Sequence, residues 1–187
     1  MKRLLVMLLV FGSGFAAVQA TQEPSRVHCE PSRLIQDISK NGAKVVVGKL
    51  WNTPKWTCVI ERISTGQSRW ISAAVALAPG IDAGSSEELS DGLFLALASN
   101  PAEVLSRLPL DRRENGVPPL TSVCDGRTDP PETLEATLRE YSLARNAVAS
   151  VHKPGLSKAK ETCLTQIQAG EMAARHYFEA PSSNGSQ

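Results

Sequence analysis

Helix-start signals recur along this chain, and they limit what it can fold into more than any other feature. Thr53-Pro54, Asn100-Pro101 and Thr128-Asp129-Pro130 each place a capping side chain ahead of a proline at the first helical position. Ser85 and Glu88 have the spacing of a capping box, Glu87 and Glu88 suit the positive end of a helix dipole, and Asn41 can cap the segment after it. Between these starts apolar residues recur every three or four positions: Trp56, Val59, Ile60 and Ile63; Trp70, Ala73, Ala74 and Leu77; Leu89, Leu93, Ala96 and Leu97. That period puts each set on one helix face. Val45-Val46-Val47 suits a strand as well, but helix punctuation on both sides favours a helix.

The expected fold class is all-α: a single compact domain of about seven or eight helices over residues 31–180, ending in a long antiparallel helical hairpin. The first arm of the hairpin is expected over 130–151, about 32 Å long at 1.5 Å per residue. The second starts at Leu156, with Gly170 as its weak point. Residues 109–129 hold Pro109, Gly116, Pro118, Pro119 and Gly126 and read as a long irregular connection, a kind that is often functional or mobile. Residues 21–30 read as a mobile N-terminal arm and 181–187 as a disordered tail.

The first twenty residues carry an export address. Lys2 and Arg3 precede an unbroken apolar run from Leu4 to Phe11, and Val18-Gln19-Ala20 offers a small-residue cleavage site. This is the layout of a signal peptide cut near Ala20. The run is too short to span a bilayer, and no later segment resembles a span. The expected location is therefore periplasmic or secreted.

All four cysteines, Cys29, Cys58, Cys124 and Cys163, lie beyond the cleavage site. An even count in an exported chain reads as two disulfides, with three possible pairings. Cys29–Cys58 and Cys124–Cys163 close the shortest loops and cost least in chain entropy; each is worth about 3–4 kcal/mol. A straight 130–151 helix makes the second bridge uncomfortable, because Cys124 precedes its far end. A buried free Cys58 is the remaining alternative.

Charge and motif exclude more than they assign. The balance of 20 basic and 19 acidic residues argues against nucleic acid as the main partner, since a phosphate backbone calls for a concentrated basic face. The cysteine spacings contain no C-x-x-C, and His28, His152 and His176 form no metal spacing, so neither a metal nor another cofactor is expected. No nucleophile elbow or phosphate loop is present, and no catalytic residue can be named. The acidic run Asp82, Glu87, Glu88 and Asp91 is the least poor option for a hydrolase, with Glu87 and Asp91 spaced to share one helix face. Trp51, Trp56 and Trp70 crowd into twenty residues; Trp56 and Trp70 read as core, and Trp51 lies beside a turn.

The reading this leaves is a non-enzymatic exported module that binds another envelope or extracellular protein, as an immunity or inhibitor protein does. Glu87, Glu88, Asp91 and Trp51 are its candidate binding surface, with the 109–129 loop beside them. Two alternatives stand behind it. One is a carrier holding a small apolar ligand in a tryptophan-lined cavity, and the other is a carboxylate-dependent hydrolase.

Overall fold

The computed structural model describes residues 29–179. The signal peptide expected over 1–20, most of the N-terminal arm and the tail lie outside the described residues. Nine α-helices follow one another in these residues: α1 (Pro31–Asn41), α2 (Ala43–Leu50), α3 (Pro54–Ser64), α4 (Ser68–Leu77), α5 (Ala83–Ala96), α6 (Pro101–Arg107), α7 (Leu120–Cys124), α8 (Leu134–Ala149) and α9 (Ser157–Glu179). A 3-10 turn, Ala78–Gly80, ends α4, and the described residues contain no strand. The Val45–Val47 segment is helical. α3 packs on α5, and α9 packs on both α8 and α7. One apolar core runs from Leu34 through Trp56, Trp70, Leu89, Phe94 and Val123 to Ile167.

Side-chain caps start α3, α5 and α8. The Thr53 side chain accepts from the Trp56 N–H, with Pro54 in the first turn. The capping box of α5 lies one turn earlier than the sequence suggests: Asp82 is the cap, its carboxylate accepts from the Ser85 N–H, and the Ser85 hydroxyl accepts from the Asp82 N–H. Ser85 is thus the third helical residue rather than the cap, which releases Glu88 for a tertiary contact. Asn100 precedes α6 without capping it; its amide donates to the Gly66 carbonyl and to Ser68 Oγ, stitching α6 to the α3–α4 turn. Asn41 is the last residue of α1, and α2 starts after Gly42 with no side-chain cap.

The hairpin departs most from expectation. α8 starts at Leu134, capped by Thr133, rather than at Pro130. Two successive prolines explain the delay, because Pro131 excludes helical geometry from Pro130. The Thr128 and Asp129 N–H groups, expected to open a helix, instead donate to the Asp91 carboxylate. A 16-residue α8 is about 24 Å long. With the arm shortened, α7 lies against the first half of α9, and Cys124 meets Cys163 at a Cα separation of 5.2 Å. Cys29 pairs with Cys58, which removes the free-thiol alternative and tethers the last residues of the supposed arm. Lys160 of α9 donates to the Ala149 and Val151 carbonyls, closing the end of α8.

The 109–129 connection is packed. Arg113 donates to Ser86 Oγ and the Gly116 carbonyl, and Leu120 and Thr121 N–H groups return to the Pro109 and Leu110 carbonyls. Val117, Leu120, Val123 and Cys124 are buried. A five-residue helix such as α7 shows too little periodicity to be read from sequence.

Candidate binding surface

The four residues proposed from sequence fall into two different settings. Trp51 and Glu88 come together at the elbow between α2 and α3. Trp51 is half-buried and stacks edge-on against Trp56 at 5.5 Å, and Trp56 Nε1 donates to Glu88 Oε2 at 2.6 Å. Glu87 is exposed beside them. Asp91 is buried, so it belongs to no free surface, and the expected pairing of Glu87 with Asp91 on one acidic face does not form. The tryptophans pack on protein: Trp56 and Trp70 are core residues, and the hollows beside Thr57, Lys153 and Gly170 are lined by other side chains.

Asp91 organises a polar knot instead. Its two oxygens accept from the Thr128 and Asp129 N–H groups at 2.8 and 3.3 Å, and Arg127 Nε lies 3.8 Å from Oδ2. Arg127 also donates through Nη1 to Glu140 at 3.3 Å. Its Nε is buried without a hydrogen-bond acceptor, and its charge is offset by these two carboxylates. Burial pushes both the Asp91 and Glu140 carboxyls above their ordinary values, against the Thr128 and Asp129 N–H groups and then Arg127 at Asp91, and against Arg127 at Glu140. A carboxyl raised in the fold stabilises most when protonated. The fold therefore carries these two charges at some cost at neutral pH, and that cost is relieved as pH falls toward the ordinary carboxyl range.

Tyr141 closes the knot. Its hydroxyl donates to the Asp125 carbonyl at 2.7 Å, and its ring meets Phe94 edge-on at 5.3 Å. Gly170 of α9 sits where a Cβ would strike both the Tyr141 hydroxyl and the Asp125 carbonyl, so glycine is required for α9 to approach. Burial first, then the carboxylates of Asp125, Glu140, Asp91 and Glu171, push the Tyr141 hydroxyl up to about 12. The neutral phenol is the form the fold favours. Its contribution is full below the ordinary value of 10.0 and is lost as pH rises through about 12. Absorbance at 295 nm should therefore show one of the two tyrosines ionising only near pH 12, and Tyr141→Phe should delete that late step. A late step that survives the substitution would contradict this placement.

Beside the knot lies a hollow of about 470 Å3. Gly170, Ala173 and Ala174 of α9 line one side, the loop from Arg127 to Pro130 lines another, and Tyr177 and Phe178 stand at its end. Tyr177 is 73% exposed and meets Phe178 edge-on at 5.1 Å. The spacing of Gly170, Ala173, Ala174, Tyr177 and Phe178 is one helix face, legible as a pattern, but only the tertiary structure shows that small residues bring the loop close and leave the aromatics outside it.

The described residues contain no group of three or more His, Cys, Asp or Glu positioned to hold a metal ion, and no helix long and apolar enough to cross a membrane. Comparison with known proteins returns nothing: no family model, curated protein or solved structure matches this chain.

Proposed function

We propose that this protein is an exported, non-enzymatic module that binds another protein outside the cytoplasm, in the manner of an immunity or inhibitor protein. The observation that carries this reading is the aromatic pair at the end of α9. Tyr177 lies in water on a scaffold that buries its other tyrosine and two of its three tryptophans. Tyrosine and other aromatic side chains are enriched at protein interfaces, where a rigid ring adds contact area at small entropic cost. The pair is firmly held: α9 is joined to α7 by a disulfide and to α8 by the Arg145–Glu171 ion pair. The two disulfides and the Lys2–Ala20 address support an oxidising compartment. The carboxylates best placed to do chemistry are engaged within the fold: Asp91 and Glu140 with Arg127, and Glu88 with Trp56.

The test is capture under oxidising conditions. Tagged protein, exported and kept oxidised, should retain one envelope or extracellular protein in stoichiometric amount. A preparation that retains none would count against the reading.

A further inference from the structure

We infer that the hollow at the end of α9 receives a lysine or arginine side chain from a basic segment of the partner, an inference that rests on the binding function proposed above. Three features of the hollow select that chemistry. The first is shape. Ala173 and Ala174 give the α9 wall of the hollow no side chain larger than a methyl group, which suits the methylene stem of a long basic residue. The second is the exposed face of Tyr177 with Phe178 beside it, which offers a cation an aromatic surface.

The third is charge. Asp125 and Asp129 line the hollow and are exposed, and Arg127 is the one basic residue among its lining. Arg127 is already paired with Asp91 and Glu140, so the uncompensated side-chain charges of the lining are those of Asp125 and Asp129. The C-terminal end of α9, a helix of 23 residues, adds the negative end of its dipole close to Tyr177 and Phe178. An acidic side chain placed here would face the Asp125 and Asp129 carboxylates and a guanidinium whose charge Asp91 and Glu140 already offset. A purely apolar one would fill the trough without using the charge.

The experiment uses the full oxidised chain, labelled with nitrogen-15, and three blocked tripeptides as probes: acetyl-Ala-Arg-Ala-amide, acetyl-Ala-Glu-Ala-amide and acetyl-Ala-norleucine-Ala-amide. The arginine peptide should move amide signals of residues 127–129 and 173–178 saturably, and the other two should not. Tyr177→Ala and Asp129→Asn should each weaken its binding about threefold or more, the size of a modest cation–aromatic or charge contact. Both side chains are exposed, so both variants should keep the wild-type spectrum elsewhere. An equal response to the glutamate or norleucine peptide, shifts confined to another face, or unchanged affinity in both variants would overturn the assignment. If the double variant still captures the wild-type partner in full yield, the hollow is wrong and the binding function stands. If the wild type captures nothing, the binding function itself fails.

Discussion

Replacing Cys124 and Cys163 together by alanine should lower the unfolding free energy by about 4–5 kcal/mol, the larger effect of the two disulfide deletions. The loop that this bridge closes has a sequence separation of 39, against 29 for Cys29–Cys58. Chain entropy alone separates the two only slightly, at about 3.9 and 3.6 kcal/mol. Position adds the rest. Cys124 and Cys163 are completely buried where α7 meets α9, so their removal also leaves unfilled space, whereas Cys29 is only partly buried. Against a usual total of about 5–15 kcal/mol, such a loss brings a small domain near its limit. Urea unfolding of the two double variants checks this. An equal or larger loss on deleting the Cys29–Cys58 bridge would show that the hairpin is not the part that depends most on its staple.

Gly170→Ala should destabilise by about 2–3 kcal/mol, although alanine is the better helix former. Propensity alone would gain about 1 kcal/mol. The new methyl group meets the Tyr141 ring and hydroxyl within 3 Å and lies on the Asp125 carbonyl, which is backbone and cannot swing aside. Overpacking of this kind costs about 1–3 kcal/mol or more, and the Tyr141–Asp125 hydrogen bond, worth about 1 kcal/mol, is lost with it. Gly48→Ala is the control. Gly48 is also inside a helix, but a Cβ there meets nothing within 4 Å, so it should stabilise by up to about 1 kcal/mol. If both variants gain stability, α9 does not make the close approach described.

These two glycines show where sequence reading stops. Both look like the same weak point in a helical pattern, and only the tertiary neighbour separates them. Where one local rule decides, the sequence was sufficient: Thr53 with Pro54 starts α3, and the nearest-neighbour cysteines pair. Where two groups compete for one role, it was not. Asp82 and Ser85 both suit a cap, and the chain uses both in a box that leaves Glu88 to Trp56. Thr128 and Asp129 look like a helix start until Asp91, far away in sequence, takes their N–H groups. The same event removes Asp91 from the surface and, with the Arg127 ion pair, shapes the hollow. The acidic patch read from sequence therefore lost a member, and the exposed Tyr177 gave no sequence signal beyond being one aromatic on a long helix.

The most direct measurement is a paired capture with wild-type protein and the Tyr177→Ala, Asp129→Asn double variant, both exported, kept oxidised and recovered in equal amount. Binding at the end of α9 predicts one stoichiometric protein partner with the wild type and its loss with the variant. Equal recovery of that partner by both proteins, or no partner with the wild type, would contradict it.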